Sequence, residues 1–163
     1  MKKGKKSVNT LMREYGMPNY KSGRQALRYK SPPEKGIAWY WFSYYIRLRD
    51  AMMWGKCISC GKPVTFDEMD AGHFAPAENC GLALLMDEKN VNGECSHCNA
   101  WDPVHLWGYE KNLDIRYGAG TANFLKERYE KRNVNIIQIK NWGEVALYWK
   151  QKYEKLLKSQ KPL

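Results

Sequence analysis

The five cysteines offer the clearest chemistry in the sequence, because four of them form two Cys-x-x-Cys pairs. Cys57 is paired in this way with Cys60, and Cys95 with Cys98. Two thiolates three positions apart on a tight turn can share one tetrahedral ion, and two such turns complete a four-cysteine site. Because thiolates suit Zn²⁺, the spacing predicts a structural zinc ion without an open coordination position. Redox-active or free thiols are the alternatives. The remaining Cys80 is interpreted as a small buried residue.

The segment between the two pairs contains the candidate catalytic groups. A plain zinc ribbon separates its pairs by about 15–20 residues, whereas residues 61–94 lie between these pairs. Three elements lie at fixed distances from the cysteines: Asp70-Ala71-Gly72-His73-Phe74, then Asn90 five residues before the second pair, and Asn99 directly after it. Each element alone is weak, since a single histidine is more often structural. Together with the cysteine frame they form a specific pattern.

This pattern resembles a known family. A Cys-x-x-Cys pair, a histidine, and an asparagine five residues before a second pair are similar to the ββα-metal nucleases (HNH or His-Me finger), including the phage endonuclease VII type. The sequence is more similar still to the lambdoid-phage NinG/Rap recombination nucleases. The resemblance covers about residues 39–117. Its segments are Tyr45-Ile46-Arg47-Leu48-Arg49-Asp50-Ala51, Cys57-Ile58-Ser59-Cys60-Gly61, Asp70-Ala71-Gly72-His73-Phe74, Asp87-Glu88-Lys89-Asn90-Val91 and Cys95-Ser96-His97-Cys98-Asn99.

The resemblance implies a metal-dependent DNA endonuclease with one catalytic divalent ion. His73 would be the general base that takes a proton from the attacking water, and Asn90 would orient the loop carrying His73. Asn99 would be an oxygen ligand of Mg²⁺ or Mn²⁺, with Asp70 as the best carboxylate for the same ion. The implied substrates are branched recombination intermediates, such as Holliday junctions and D-loops.

Two departures from the family pattern leave the metal ligands open. Many relatives carry an acidic ligand immediately before the catalytic histidine, where this sequence has Gly72. In a flat strand Asp70 and His73 point to opposite faces, so a shared site requires a bulge at Gly72. Without that bulge Asp70 is structural, and another acid is the ligand: Asp67, Asp102 or Glu94. Asn99 also replaces the usual third histidine, for which His105 is a less suitable substitute.

Positive charge is concentrated at the N-terminus. The net charge is +10, and residues 1–30 hold nine Lys or Arg against one acid. A basic arm predicts a polyanionic partner, the alternative being a solvated tail that aids solubility. The candidate DNA-binding residues are Lys2, Lys3, Lys5, Lys6, Arg24, Arg28, Arg47 and Arg49. For the last two, ion pairing near Asp50 is the default interpretation. For His97 an exposed turn position is favoured over a phosphate contact.

Periodicity and turn residues predict the elements that position these groups. Ser31-Pro32-Pro33-Glu34 is typical of a helix start, and a helix follows over 37–54. That helix is apolar all round, which fits a central core helix and a dimer surface equally well. Two short strands are expected near 64–69 and 72–75, and a helix from the second cysteine pair to about Tyr117. After a break at 118–120, Thr121 would cap a helix to about Lys131, and a last helix is predicted from Trp142 to Lys158.

Together these features predict a helix-rich α+β protein. A ββα-metal finger, stapled by the four-cysteine zinc site, would lie between N- and C-terminal helices. The expected domains are a basic, partly mobile arm at 1–30, a nuclease core at 31–117 and a helical extension at 118–163. The sequence has neither a secretory signal pattern nor a run of 18 apolar residues, so an intracellular (cytoplasmic) protein without membrane contact is expected. The NinG/Rap resemblance implies a phage or prophage protein in a bacterial host.

Two other functions remain open at the level of sequence. One is a zinc-ribbon DNA-binding module without catalysis, and the other is a sequence-specific HNH nickase. Because resolving a junction needs two cuts, a homodimer is expected for the branched-DNA nuclease.

Overall fold

The computed structural model describes residues 8–17, 32–77, 80–132 and 138–159. Its elements, in chain order, are α1 (Val8–Glu14), α2 (Pro33–Met53), β1 (Met69–His73), α3 (Leu82–Leu85), β2 (Val91–Cys95), α4 (Ser96–Ala100), α5 (His105–Tyr117), α6 (Thr121–Glu130) and α7 (Trp142–Lys158). The predicted basic residues Lys2, Lys3, Lys5, Lys6, Arg24 and Arg28, and the helix start at Ser31, lie outside the described residues. No helix within these ranges is long and apolar enough to cross a membrane.

The chain forms two compact units. Met1–Tyr45 and Ile139–Leu163 make up the terminal unit, and Ile46–Gln138 makes up the central unit. The domain boundaries expected after residues 30 and 117 stay a prediction.

Aromatic packing between α2 and α7 forms the core of the terminal unit. The ring centroid of Trp149 lies 4.6 Å from that of Phe42 and 5.4 Å from that of Tyr45. Tyr153 contacts Trp41 and Tyr44 in the same way. The apolar helix is therefore buried by its own chain, as a core helix would be. The aromatic residues considered as a dimer surface lie inside this packing, and the dimer itself stays a prediction.

The bounds of α7 agree with the predicted helix from Trp142 to Lys158. It begins at an N-cap that the sequence analysis did not identify. The Asn141 side chain accepts hydrogen bonds from the backbone N–H groups of Gly143 and Glu144, and donates one to the Glu144 carboxylate. These bonds satisfy donors that a helix start leaves without partners.

A two-stranded antiparallel sheet lies at the centre of the central unit. The predicted strand positions were wrong. Residues 65–68 form a turn, closed by bonds from Thr65 to the Glu68 carboxylate, and the second strand lies at Val91–Cys95. The register is regular, from Met69 opposite Cys95 to His73 opposite Val91.

The helix predicted to run from the second cysteine pair to Tyr117 is in fact two helices. The chain leaves helical geometry between α4 and α5, where Pro103 lacks an N–H and disfavours the helical conformation at Asp102. The predicted break at 118–120 is confirmed. The predicted Thr121 cap was wrong, because the Asp114 carboxylate accepts the bond from the Ala122 N–H at 2.9 Å. Backbone donors, that of Ala122 first, lower the pKa of Asp114.

A buried ionic network ties the end of α2 to β2 and α5. The carboxylate of Asp50, which is fully buried, pairs with Arg49 at 2.6 Å and Arg116 at 3.1 Å. It also accepts a bond from the Gly93 N–H at 2.6 Å. Arg49 donates further to the Asn92 side chain. The network fixes the position of β2 relative to the helix that precedes the first cysteine pair.

Candidate metal centres

The four paired cysteines converge on one point. The sulfur atoms of Cys57, Cys60, Cys95 and Cys98 all lie within 4.8 Å of one another, and the Cys60 and Cys95 sulfurs are 3.9 Å apart. Tetrahedral Zn–S bonds of about 2.3 Å place neighbouring sulfurs about 3.8 Å apart. The cluster therefore fits the predicted zinc site, whereas Cys80 is buried in the apolar core as interpreted from the sequence.

Backbone hydrogen bonds shape the first pair into a knuckle. The Cys57 N–H donates to Lys62 O and the Gly61 N–H to Cys57 O, at 2.8 and 3.0 Å. Gly61 has φ 73°, a left-handed conformation that glycine adopts at little cost. The Ile58 N–H donates to Gly93 O, which joins this knuckle to β2. The second pair spans the end of β2 and the first turn of α4.

The thiols differ in their environments. Burial raises the pKa of Cys57 and also that of Cys98. Burial also acts to raise the pKa of Cys60, but the bond from the Lys62 backbone and those from neighbouring thiols outweigh it and lower that pKa. Buried thiols favour the protonated form, so a cation that holds four thiolates here must displace protons.

Helix α5 packs directly on the first knuckle, a contact that the sequence analysis missed. A β-carbon at Gly108 would overlap the Ser59 carbonyl oxygen, so only glycine permits this approach. One turn later the Asn112 side chain donates to Ile58 O at 2.6 Å. Gly108 and Asn112 are four residues apart, so they lie on one face of a helix. This spacing was the sequence signal for the contact. The packing fixes the position of His105, at the start of the same helix.

A second group of side chains lies beside the sheet. Asp70 pairs with Glu94 across the strands without a bulge. The bulge considered at Gly72 is therefore absent, and Asp70 and His73 point to opposite faces of β1. The Asn99 amide nitrogen lies 3.4 Å from Oδ2 of Asp70. Asp70, Glu94 and Asn99 thus come together on one face, while His73 lies on the other.

Glu94 is the residue of this group that most needs a cation. It is fully buried, and its Oε1 accepts bonds from the Ser59 hydroxyl at 2.5 Å and His105 Nδ1 at 2.9 Å. Its Oε2 is buried and lacks a hydrogen-bond partner among the described residues. A β-carbon at Gly72 would overlap this Oε2 and lie 3.0 Å from Oδ1 of Asn99. The Glu94 carboxylate therefore fills the space of the side chain that residue 72 lacks.

The chemistry of this donor set fits a hard divalent cation. Carboxylate and amide oxygens are the ligands that Mg²⁺ and Mn²⁺ prefer. Burial raises the pKa of Glu94 despite the bonds from Ser59 and His105. Burying a charge without a partner is costly, and a bound cation would offset that cost. Glu94 was one of three alternative acids considered from the sequence.

His73 lies at the end of β1 with its ring partly buried. Its Nε2 is 3.0 Å from the carbonyl oxygen of Leu85. A carbonyl only accepts hydrogen bonds, so Nε2 carries the proton in the neutral ring and Nδ1 is the basic nitrogen.

Asn90 and Tyr109 hold the segments around His73. The buried Asn90 accepts a bond from the Ala75 N–H at 2.8 Å and donates to Leu84 O at 3.0 Å. It thus fixes both the residues after β1 and the segment whose carbonyl binds His73. The Tyr109 hydroxyl donates to Gly72 O at 2.8 Å, and burial raises its pKa well above the ordinary value.

Comparison with known proteins identifies the family of the chain. A family model described as "Bacteriophage Lambda NinG protein" matches residues 3–159. The chain belongs to the NinG family. It is 28% identical to Protein ninG of Escherichia phage 933W over 114 residues, which are 70% of this chain and 51% of that protein. It is 28% identical to Protein ninG of Escherichia phage lambda over 96 residues, 59% of this chain and 45% of that protein.

A third NinG relative gives a similar picture. Protein ninG of Salmonella phage P22 is 30% identical over 87 residues, 53% of this chain and 41% of that protein. The chain spans about half the length of the curated NinG proteins it matches. No solved structure matches it. The resemblance to NinG is confirmed, while membership of the ββα-metal nucleases stays a prediction.

The structure also places the remaining site residues predicted for this NinG-family chain. Arg49 forms the ion pair taken as its default interpretation, and its buried guanidinium is directed into the protein. Arg47 donates to Phe66 O at 2.7 Å. His97 is exposed on α4, and Asp67 is exposed in the turn before β1. Asp102 accepts a bond from the Val104 N–H.

Proposed function

We propose that this NinG-family chain is a divalent-metal-dependent DNA endonuclease of the ββα-metal (HNH) type, acting on branched recombination intermediates. The observation that carries the proposal is Oε2 of Glu94, which is buried and has no hydrogen-bond partner within the part of the chain that the structure describes. It faces the amide oxygen of Asn99 beside a strand that ends in a histidine. His73 lies on β1, Glu94 on β2 and Asn99 on α4. The order strand, strand, helix is the one that the ββα-metal resemblance implies.

Glu94 and Asn99 would hold the catalytic ion, with His105 as the residue that positions Glu94. The Nδ1–H of His105 donates to Oε1 of Glu94, which directs the other carboxylate oxygen towards Asn99. Asp70 would be structural, because β1 has no bulge at Gly72. When bound, Mg²⁺ or Mn²⁺ would stabilise the charge that develops on the leaving oxygen. The zinc site would keep a structural role, since four thiolates leave no position for water.

His73 would act as the general base on a phosphate bound past the last residue of β1, where the substrate could reach the ion on one face of the strand and the His73 ring on the other. In the proposed reaction a water proton passes to Nδ1 of His73 while the water oxygen attacks phosphorus. The bond between phosphorus and the leaving sugar oxygen then breaks, and that oxygen takes a proton from solvent water. The bond from Nε2 to Leu85 O holds the ring in the tautomer that leaves Nδ1 basic. Asn90 would be a positioning residue, because its bonds fix the Leu84–Leu85 segment.

DNA as the substrate is supported by charge. Nine Lys or Arg lie within residues 1–30, against one acid, and phosphate contacts by such residues supply most non-specific affinity for DNA. Preference for branched DNA rests on the NinG/Rap resemblance, and a homodimer that makes two cuts belongs to the same proposal.

The test compares His73→Ala with His97→Ala. The full chain is incubated with a four-way junction, a linear duplex or a single strand in the presence of Mg²⁺. We expect the unaltered chain to cut the junction. Loss of a general base costs about 10²- to 10⁴-fold in rate, so His73→Ala should lose that activity and keep its zinc. The exposed His97 provides the matched control, and its variant should cut normally.

The same assay separates the competing functions. Junction binding without cutting by the unaltered chain would indicate a zinc-ribbon binding module. Cutting of the linear duplex at one sequence, with no preference for the junction, would indicate an HNH nickase. Glu94→Gln should raise the Mg²⁺ concentration needed for half-maximal cutting. An unchanged metal requirement would exclude Glu94 as a ligand.

A further inference from the structure

Ser59 connects the two candidate metal centres. It lies inside the first Cys-x-x-Cys pair, between Cys57 and Cys60, and it is buried. The Ser59 hydroxyl donates a hydrogen bond to Oε1 of Glu94 at 2.5 Å, and Glu94 directly precedes Cys95. This bond therefore joins the same two segments of the chain that the zinc ion would join. Ser59 was not among the site residues predicted from the sequence.

The backbone that carries the Ser59 hydroxyl is held from two sides. On one side, the Ile58 N–H donates to the carbonyl oxygen of Gly93 in β2 at 2.9 Å. On the other side, the Asn112 side chain of α5 donates to Ile58 O at 2.6 Å, and Gly108 allows the same helix to approach the Ser59 carbonyl. These contacts leave the hydroxyl little freedom to move away from Glu94.

The two oxygens of the Glu94 carboxylate have different surroundings. Oε1 accepts bonds from the Ser59 hydroxyl and from His105 Nδ1, and these donors can occupy both acceptor positions of that oxygen. Oε2 has no hydrogen-bond partner within the described ranges, and it fills the space beside Gly72 and Asn99. The protein thus holds one oxygen and leaves the other directed towards the amide proposed as the second ligand.

We propose that Ser59 is a positioning residue for the catalytic ion, whose hydroxyl fixes the Glu94 carboxylate and so ties the site of that ion to the zinc knuckle. The inference rests on the proposed function, because it takes Glu94 as a ligand of the catalytic ion. Side chains that hydrogen-bond to a metal ligand orient it, and their removal commonly lowers metal affinity by about 10- to 100-fold. Without the hydroxyl, His105 alone would hold Oε1, and the carboxylate could turn so that Oε2 leaves Asn99.

The first experiment measures metal binding in the absence of DNA. Electron paramagnetic resonance of Mn²⁺ gives the concentration of the free ion, and hence its dissociation constant for the zinc-loaded full chain. Ser59→Ala is compared with Ser59→Thr, and Glu94→Gln identifies the bound Mn²⁺ that belongs to this site. Ser96→Ala is the matched control, because Ser96 lies inside the second Cys-x-x-Cys pair and is exposed.

We expect Ser59→Ala to bind Mn²⁺ about tenfold more weakly than the parent and to keep its zinc. Ser59→Thr retains a hydroxyl at this position and should recover most of the affinity. Ser96→Ala should not differ from the parent, and Glu94→Gln should lose the binding.

The dependence of cutting on Mn²⁺ provides a second readout. Ser59→Ala should raise the Mn²⁺ concentration for half-maximal cutting of the four-way junction about tenfold, while the rate at saturating Mn²⁺ stays within about twofold of the parent. A change that only damaged the fold would instead lower the rate at saturating Mn²⁺.

Two outcomes would overturn this inference alone. One is an unchanged Mn²⁺ affinity in Ser59→Ala when Glu94→Gln has lost the binding. The other is a loss of zinc in Ser59→Ala that Ser59→Thr does not restore, which would assign the hydroxyl to the structure of the knuckle.

The failure of the proposed function would look different. Mn²⁺ binding that is the same in Glu94→Gln as in the parent would overturn both proposals, because the ion would then lie elsewhere. A chain whose Mn²⁺ affinity depends on Ser59 but which cuts no DNA would keep the positioning role and lose the nuclease proposal.

Discussion

The terminal unit and the central unit differ in the kind of contact that stabilises each of them internally. In the terminal unit, aromatic rings of α2 and α7 pack around Trp149, and these contacts carry no directional hydrogen bond. In the central unit, buried polar groups define the geometry: Asp50 with two arginines, Asn90 with backbone atoms, and Glu94 with Ser59 and His105.

The difference follows the chemistry that each unit must support. A metal centre requires donor atoms held to fractions of an ångström, and directional bonds achieve this better than ring packing does. All the candidate metal ligands, with His73, lie within Ile46–Gln138. The central unit should therefore be sensitive to loss of a single polar atom, and the terminal unit should not.

The largest effect is expected from Cys98→Ser. Structural zinc contributes about 10–16 kcal/mol of binding free energy in zinc-finger peptides, which matches or exceeds the whole stability of a typical domain. The variant should lose its zinc, and the central unit its fixed structure. Zinc content and near-ultraviolet circular dichroism measure both.

Cys80→Ala provides the control for this change. Cys80 is also buried but lies in the apolar core, so the variant should keep its zinc and lose about 1 kcal/mol of stability. A Cys98→Ser protein with full zinc content and an unchanged melting curve would contradict the four-cysteine site.

A smaller effect is expected from Asp50→Asn. Removing this charge leaves the guanidinium groups of Arg49 and Arg116 buried without their counter-ion, which should cost about 3 kcal/mol of the free energy of unfolding. Urea denaturation measures the loss. Glu110→Gln removes a carboxylate from the solvent-exposed pair with Lys126 and should cost no more than about 1 kcal/mol. Equal costs for the two variants would show that burial adds nothing to the Asp50 ion pairs within the central unit.

The smallest effect is expected from Asn141→Ala in the terminal unit. Loss of the N-cap of α7 should cost about 1 kcal/mol, and Asn141→Ser should restore most of it. Zinc content and junction cutting should remain those of the parent. A change in zinc binding would show that the central unit depends on this cap.

Helices with a clear boundary signal could be predicted from the sequence. Helix α7 has regular apolar spacing, and its predicted bounds were correct. Burial of α2 was also predicted, because an all-apolar helix must be buried, but whether this chain or a second copy buries it was left open. The two Cys-x-x-Cys pairs likewise predicted the four-cysteine cluster, since the spacing of three within each pair lets its two thiolates share one ion.

Strand β2 could not be predicted, because its polar residues are buried. Asn92 and Glu94 in Val91–Cys95 suggest an exposed loop, yet the first four residues of that strand are all buried. Asn92 bonds to Arg49 and Tyr117, and Glu94 to Ser59 and His105. Those partners lie 11 to 43 residues away in sequence, beyond the reach of a local pattern. Because the sequence does not show that Glu94 is buried, Glu94 was only one of several alternative acids considered as the metal ligand.

Gly72 has a consequence for how sequences of this kind can vary. A β-carbon at residue 72 would occupy the volume that Oε2 of Glu94 fills. A side chain at position 72 and the present Glu94 conformation therefore exclude each other. An acidic side chain can be presented from the first strand or from its neighbour, but a chain that carries both must move the Glu94 carboxylate out of this position. Substitutions at 72 and 94 should therefore be inherited as a correlated pair, with the negative charge exchanged between strands while its location in space is preserved.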